Sequence, residues 1–156
     1  MQVAISLGSN LGDRVAHLDY AVSHLRHVLA NLRISRYLET SPLDVPGIQP
    51  KFLNAAAVGD ASLPAAELLA ELLAIENERG RERPFPGAAR TLDLDLVLYG
   101  DQAVNEPGLV VPHPRFRERL FVLEPLAEIA PNMIDPVTQL TVKALLKQLS
   151  GRLDGA

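Results

Sequence analysis

The chain has 156 residues, of which 47% are apolar and 22% charged, so it has the size and apolar content of one folded domain and is not a disordered polypeptide. Its net charge of −4 argues against a broadly basic nucleic-acid-binding surface, and the absence of cysteine excludes disulfides and thiolate metal sites. The amino terminus lacks the pattern of a signal peptide and no apolar run approaches the ~18 residues of a membrane span, so we expect a cytoplasmic protein without a membrane or nucleic-acid partner.

The first part of the chain predicts a strand, a helix and two further strands. Residues 2–7 have the composition of a strand, and Asp13 is placed to cap a helix whose apolar residues recur at helical spacing. Residues 32–40 alternate with period two and residues 52–59 form another apolar run, so each segment predicts a strand. Between them, residues 40–50 hold three prolines and a glycine, which predicts a long loop.

The rest of the chain predicts a second long helix, a further strand and then mainly helices. Pro64 suits the first turn of a helix that ends near Gly80. The apolar stripe of this helix consists of Leu68, Leu69, Leu72 and Leu73. An irregular segment over residues 81–89 leads into a strand over residues 91–99. The sequence then predicts a short extended segment at residues 103–104, a loop at 107–114 and a short helix at 121–129. A final helix is predicted to begin at Thr141, which is placed to cap it.

This order of elements predicts an α+β protein. The sequence strand, helix, strand, strand, helix, strand is typical of a ferredoxin-like βαββαβ sheet, here followed by a helical C-terminal extension. Right-handed crossovers would place both long helices on one face of the sheet. The other face is then left for loops, for the C-terminal tail or for a ligand.

The strongest chemical signal is the alternation in residues 90–98, Arg-Thr-Leu-Asp-Leu-Asp-Leu-Val-Leu. Because side chains alternate across a strand, the leucines from Leu92 to Leu98 share one face, and Asp93 and Asp95 project from the other, about 7 Å apart. A carboxylate pair of this kind suits Mg²⁺, which shares its coordination shell with substrate phosphates. A sheet face open to water, with two solvated aspartates, is an equally good interpretation of the alternation alone.

Arginines are concentrated on either side of this strand. Seven of the fifteen basic residues lie in two short stretches: Arg79, Arg81, Arg83 and Arg90, then Arg115, Arg117 and Arg119. Guanidinium groups bind phosphate through two hydrogen bonds and neutralise charge in phosphoryl transfer, so the pattern favours a polyphosphate substrate held with a metal. Salt bridges to neighbouring glutamates are the alternative for some of these arginines.

The histidines divide into two groups. Three of them lie on the first helix among polar neighbours, where a solvated helix face is expected: His17, His24 and His27. His113 instead stands between two prolines and before Arg115, and it could donate to a phosphate oxygen or serve a structural role. A Walker-type glycine-rich phosphate loop is absent from the sequence.

Four segments occur together in the order and at the spacing of a known family. They are Gly-Ser-Asn-Leu-Gly-Asp at residues 8–13, Phe-Leu-Asn-Ala-Ala at 52–56, Arg-Thr-Leu-Asp-Leu-Asp at 90–95 and Val-Pro-His at 111–113. With them the chain resembles the hydroxymethyl-dihydropterin pyrophosphokinases of folate biosynthesis from about Val3 to Ile129. It departs from many relatives at residues 87–89, where they have a tryptophan, and from some at Gly108 and Val110.

The resemblance implies a single pyrophosphokinase domain over residues 1–156 that acts as a monomer on small molecules. Such enzymes transfer the diphosphate of ATP to a pterin alcohol, release AMP and use two Mg²⁺ ions. By resemblance the catalytic residues are Arg81, Arg90, Asp93 and Asp95, with Asp93 and Asp95 also the metal ligands. The pterin would contact Thr40, Leu43, Phe52, Asn54 and Phe121. The ATP phosphates would contact Arg81, Arg83, Arg90, His113 and Arg119.

Two other interpretations remain open at the level of sequence. A ferredoxin-like module that binds a small molecule or partner without catalysis has no need of Asp93 and Asp95 together with Arg90 and His113. A metal-dependent phosphotransferase with a different acceptor would keep those residues. Ordinary core packing is the alternative role for Phe52 and Phe121.

Overall fold

The computed structural model describes residues 1–40, 51–80 and 91–154, and within them it contains strands, four α-helices and one 3-10 turn. The elements in chain order are β1 (Gln2–Ser9), α1 (Arg14–Val28), β2 (Leu29–Ile34), β3 (Leu38–Thr40), β4 (Phe52–Ala61), α2 (Ala65–Arg79), β5 (Asp93–Tyr99), β6 (Val104–Glu106), β7 (Leu109–Val111), the 3-10 turn (Phe116–Glu118), α3 (Leu120–Ile129) and α4 (Val142–Asp154). The predicted α+β class is confirmed.

Helix ends fall where the capping residues predict them. The Asp13 carboxylate accepts a hydrogen bond from the Ala16 N–H at 3.1 Å, which satisfies a free donor in the first turn of α1. The Thr141 hydroxyl accepts one from the Ala144 N–H, also at 3.1 Å, at the start of α4. At the end of α2 the N–H of Gly80 closes the last turn. These boundaries are therefore set by local sequence.

The main sheet is antiparallel, with strand order β2-β4-β1-β5 and with β3 also paired to β4. The single strand predicted for residues 32–40 is in fact two, β2 and β3. Ser35 causes the interruption, because its hydroxyl accepts from the Ala56 N–H at 2.8 Å in place of a backbone carbonyl. The prediction of one continuous strand was wrong for this reason.

Helices α1 and α2 cover one face of the sheet, as predicted. The apolar residues of β1 on this face, Val3, Ile5 and Leu7, are buried against them. The stripe of α2 is narrower than predicted: Leu68, Leu72 and Ile75 are buried, whereas Leu73 is 48% exposed. The buried residues of a helix on a core recur three and four apart, and Leu73 instead lines a cavity beside β5 and β7.

A bulge changes the alternation at the end of β5. Ile5 pairs with Leu96, but the preceding residue, Ala4, pairs with Leu98, so Val97 is an extra residue in the ladder. Leu98 therefore leaves the leucine face and packs with Val97 in the core on the opposite face. The predicted shared face is confirmed for Leu92, Leu94 and Leu96 and is wrong for Leu98.

Among the described residues, the second face of the sheet is covered over only part of its length. Helices α3 and α4 pack on Ala4, Ala56 and Val58, with Phe116 fully buried among them. Further along β1 on the same face come Ser6 and Gly8, which border a cavity. The C-terminal helices thus cover one end of this face, and in the part of the chain that the structure describes the other end borders the cavity.

Residues 107–114, predicted as a loop, contain strand β7, which pairs with β6 as a small hairpin. Pro107 and Gly108 form its turn, and Gly108 has a φ of +82°, which favours glycine. The Pro-Gly pair was a turn signal that the prediction did not use. Within the described ranges, none of the helices has the length and apolar character needed to cross a membrane.

Candidate active site

The accessible end of the second sheet face forms the floor of a cavity of about 290 Å³. The strand register places Gly8 between Asp93 and Asn54, and it places Ser6 next to Asp95 in the neighbouring row. The residues that line the cavity are Ser6, Gly8, Phe52, Asn54, Asp93, Asp95, Arg119 and Phe121. Six of them were predicted as site residues. Ser6 and Gly8 were missed, although the period of two along β1 would have found them.

Asp93 and Asp95 project from the cavity side of β5, as the alternation predicted. The Asp95 side chain is 44% exposed, and its Oδ2 lies 3.9 Å from a guanidinium nitrogen of Arg119. Arg119 lies between the 3-10 turn and α3, and it is far from β5 in the sequence. A positive group therefore lies beside the carboxylates, which the sequence around them did not reveal.

Asn54 is almost fully buried, and its amide has a defined orientation. Its Nδ2 donates to the Thr40 hydroxyl at 2.6 Å, so β3 holds one end of the amide. A Cβ built on Gly8 would lie 3.0 Å from Asn54 Oδ1, tighter than an ordinary contact. Gly8 thus leaves the space that the Asn54 oxygen occupies.

The two predicted ring residues both line the cavity. Phe121, at the start of α3, is 37% exposed, and the Arg119 guanidinium lies 5.5 Å from the centre of its ring. The phenylalanine that packs in the core is Phe116, which is fully buried. Core packing is therefore the wrong interpretation of Phe121, whose ring is partly exposed at the cavity.

A second cavity of about 210 Å³ adjoins the first and shares Asp95 with it. His113 lies here, and its Nδ1 accepts from the Arg115 N–H at 3.1 Å, which leaves the proton of the neutral ring on Nε2. Burial lowers the pKa of His113. The charge of Asp95 raises this pKa, and the charges of Arg119 and Arg115 lower it. The remaining wall is largely apolar: Leu69, Leu73, Leu94, Leu96, Leu109, Val110 and Val111, with Glu76.

Two of the clustered arginines point away from this site. Arg117 forms a bidentate pair with the buried Asp135, and its Nη2 lies 3.0 Å from Asp135 Oδ1. Arg79 donates to His17 Nδ1 at 2.9 Å. His17 is therefore not on a purely solvated helix face, and its pKa is lowered by burial and by Arg79. Proximity in sequence does not bring these two arginines to the carboxylates.

Four predicted residues, Leu43, Arg81, Arg83 and Arg90, lie outside the described residues. Among the residues that are described, no three His, Asp or Glu side chains come together as a complete metal site. Asp93 and Asp95 nevertheless fit Mg²⁺, because this ion commonly takes one or two protein carboxylates and completes its shell with water and phosphate oxygens.

Comparisons with known proteins agree on one family. The family model described as 7,8-dihydro-6-hydroxymethylpterin-pyrophosphokinase (HPPK) matches residues 4–131. The 2-amino-4-hydroxy-6-hydroxymethyldihydropteridine pyrophosphokinase of Bacillus subtilis is 44% identical over 127 residues, covering 80% of this chain and 75% of its own. The Haemophilus influenzae protein of the same name is 38% identical over 149 residues, covering 94% of this chain and 91% of its own.

Some similar proteins are much longer. The folic acid synthesis protein fol1 of Pneumocystis carinii is 38% identical over 148 residues, which are 94% of this chain but only 20% of that protein. A solved wild-type HPPK-DHPS of Plasmodium falciparum has a TM-score of 0.75 at 14% identity, over 99% of this chain and 45% of that one. At this identity the structural likeness concerns the fold alone.

Proposed function

Because the chain belongs to the 7,8-dihydro-6-hydroxymethylpterin-pyrophosphokinase family, we propose that it transfers the diphosphate group of ATP to the hydroxymethyl group of 6-hydroxymethyl-7,8-dihydropterin. The products are the pterin diphosphate and AMP, and the reaction is a step of tetrahydrofolate biosynthesis. The chain covers most of the length of its bacterial relatives but a fifth of the Pneumocystis protein, so the proposal concerns the activity of this region.

The observation that best supports the proposal is the composition of the first cavity. It combines two phenylalanine rings and a buried amide with two carboxylates and an arginine. Flat heteroaromatic rings stack well on phenylalanine, and an amide both donates and accepts hydrogen bonds. The cavity thus has one end suited to a pterin and the other suited to a phosphate chain.

The pterin end consists of Phe52, Phe121 and Asn54, with Thr40 orienting the amide. The Thr40 hydroxyl accepts a hydrogen bond from the Asn54 NH₂ group at 2.6 Å. Asn54 Oδ1 and the second amide hydrogen are therefore left for the pterin edge. Leu43 contributes a backbone contact in this proposal, on the basis of resemblance alone.

The phosphate end consists of Asp93, Asp95, Arg119 and His113. Asp93 and Asp95 hold Mg²⁺, two ions by resemblance, which neutralises phosphate charge when bound. Arg119 adds a positive charge beside Asp95, and His113 donates from Nε2 to a phosphate oxygen. Three further arginines are proposed for the triphosphate by resemblance, the first and last also as catalytic residues: Arg81, Arg83 and Arg90.

The reaction requires the pterin alcohol to attack the β-phosphorus of ATP. The hydroxyl oxygen forms a bond to the β-phosphorus and its proton is released to water, as the bond from β-phosphorus to the oxygen bridging to the α-phosphate breaks and AMP leaves with that oxygen. The Phe52 and Phe121 rings and Asn54 hold the pterin in one orientation, which lowers the entropic cost of bringing its hydroxyl oxygen to the β-phosphorus. Arg119 stabilises charge on the transferring group through a fixed guanidinium.

The second cavity is proposed to take the adenine base. Its wall is mainly leucine and valine, and its volume of about 210 Å³ suits a flat ring system. It shares Asp95 with the first cavity, so a base held there would have its phosphates directed toward the carboxylates.

The strand order β2-β4-β1-β5, with two crossover helices on one face, supports the ferredoxin-like topology inferred from sequence. A single domain over residues 1–156, a monomeric state and a cytoplasmic location stay predictions.

The direct test is incubation of the protein with ATP, Mg²⁺ and 6-hydroxymethyl-7,8-dihydropterin. We expect AMP and pterin diphosphate in equal amounts, measured by chromatography, and neither product when the pterin is omitted. Formation of ADP in place of AMP would indicate a single-phosphate transfer and contradict the proposal. No turnover of ATP with this acceptor would favour a binding module or a different acceptor.

Substitution of Asn54 tests the pterin end. Asn54→Ala is expected to weaken pterin binding by roughly 1–3 kcal/mol, because the polar pterin edge is then buried without its partner. Gly8→Ala should produce a smaller loss of the same kind, since its methyl group displaces Asn54 Oδ1. Titration calorimetry with the pterin in the presence of a nonhydrolysable ATP analogue provides the measurement.

Two controls accompany this substitution. Binding of the ATP analogue alone should change little in Asn54→Ala, and Asn77→Ala, an exposed residue on α2, should bind both ligands normally. Equal loss of both ligands in Asn54→Ala would point to misfolding and remove the assignment of this residue to the pterin.

A further inference from the structure

Arg14, the first residue of α1, connects three separate parts of the chain. Its Nη1 donates to the backbone carbonyl of Lys51 at 2.7 Å, and its Nη2 donates to the Glu39 carboxylate at 3.0 Å. Lys51 Nζ lies 3.6 Å from the other oxygen of Glu39. One guanidinium thus binds the middle residue of β3 and the residue that precedes β4.

Helix stability does not account for a cation at this position. The first turn of a helix carries partial positive charge, so an arginine there is electrostatically unfavourable. Pairs between partly exposed side chains also contribute little to folding, and Arg14 and Glu39 are 29% and 46% exposed. The hydrogen bond from Arg14 lowers the pKa of Glu39, so the carboxylate of this pair stays charged to a lower pH than a free glutamate does.

The two places that Arg14 binds are adjacent to residues of the candidate active site. β3 has only three residues, and its last pair with β4 joins Thr40 to Phe52. Glu39 directly precedes Thr40, and Lys51 directly precedes Phe52. A short strand is easily displaced along its neighbour, and Arg14 binds the residue that precedes each member of this pair.

Register at this pair determines the orientation of the Asn54 amide. Thr40 Oγ1 accepts from Asn54 Nδ2 at 2.6 Å, and this bond makes Oδ1 the atom that faces Gly8. Displacement of Thr40 would release the amide and allow its two ends to exchange. The nitrogen and oxygen would then no longer be presented in one fixed order.

We propose that Arg14 is a positioning residue for the acceptor substrate: by holding Glu39 and the Lys51 carbonyl together, it fixes Thr40 and Phe52 and so presents one edge of Asn54 to the ligand. The identity of that ligand as a pterin rests on the proposed function. The role requires the planar fork of arginine, because two acceptors in different directions are bound at once, whereas lysine provides a single point charge.

The kinetic test compares Arg14→Ala and Arg14→Lys with Arg36→Ala. Arg36 also forms an exposed ion pair, with Glu128 at 3.0 Å, but neither residue borders the cavity. Arg14→Ala is expected to raise KM for the pterin about tenfold, with kcat and KM for ATP within about twofold. Arg14→Lys should lie between wild type and Arg14→Ala, and Arg36→Ala should match wild type.

A second measurement does not depend on turnover. The side-chain NH₂ signals of Asn54, assigned in nitrogen-15-labelled free protein, should broaden or exchange faster in Arg14→Ala and stay unchanged in Arg36→Ala. If wild type forms no AMP, the proposed function fails and this measurement alone decides the role of Arg14. Unchanged Asn54 signals, or an equal change of every kinetic constant in Arg14→Ala, would overturn the inference.

Discussion

Replacing Asp95 by alanine is expected to lower turnover by about 10³-fold, because the site loses a carboxylate that stabilises the arrangement of charge around the transferring phosphate. Asp93→Ala should have an effect of the same order. Both side chains line the cavity from one strand face, and Asp95 is 44% exposed, so neither contributes much to the core. The midpoint of thermal unfolding should therefore change by only a few degrees. Steady-state assays of AMP formation with saturating Mg²⁺ provide the measurement.

Asp95→Asn and Asp101→Ala complete the series. Asp95→Asn keeps the shape of the side chain and removes its charge, so it should be nearly as inactive as Asp95→Ala. Asp101, exposed in the turn after β5, should be replaceable without loss. Near-normal turnover in Asp95→Ala would end the assignment of this residue to the metal, whatever the result for Asp93.

Replacing Asp135 by asparagine is expected to lower the free energy of unfolding by about 3 kcal/mol at pH 7, since it leaves the charge of Arg117 without its partner. The Asp135 side chain is fully buried and accepts hydrogen bonds from Arg117, from the Thr138 hydroxyl at 2.7 Å and from the Val137 N–H at 3.0 Å. Urea denaturation of the two proteins provides the comparison.

The loss should depend on pH in a defined direction. Burial alone would raise the pKa of Asp135, but the hydrogen bonds from Arg117, Thr138 and Val137 lower it below the ordinary value of 3.8. A carboxyl with a lowered folded-state pKa stabilises the protein above its unfolded-state pKa and loses that contribution as pH falls through the folded-state value. The difference between wild type and Asp135→Asn should thus be full at pH 7 and decrease below about pH 4. A difference that is equal at pH 3 and pH 7 would show that packing, and not charge, is responsible.

The Asp135 pair also explains why clustering in the sequence could not assign roles to Arg117 and Arg119. Arg117 and Arg119 are two residues apart, with a 3-10 turn and the start of α3 at this point. The turn directs Arg117 toward Asp135 and Arg119 toward Asp95. Clustering alone did not distinguish the two arginines, whereas the resemblance selected Arg119 and not Arg117; the direction of the backbone gives the physical reason for the difference.

Features that depend on neighbouring residues were predictable. The cap at Asp13, the end of α2 at Gly80 and the shared face of Asp93 and Asp95 all follow from intervals of one helical turn or two strand residues. Leu98 shows the limit of such reasoning, because its face depends on a bulge whose position is set by the partner strand β1.

The sequence by itself determined the α+β class, the order of the main elements, the shared strand face of Asp93 and Asp95 and, through a resemblance confirmed by the comparisons, the family. These properties are encoded in local periodicity and in motifs that are contiguous in the chain. Only the tertiary structure decided that Arg119 lies beside Asp95 and that Arg14 connects β3 to Lys51, the residue before β4. Each of these contacts joins residues far apart in the chain, and their distances depend on how the sheet pairs and where α1 and α3 pack on it.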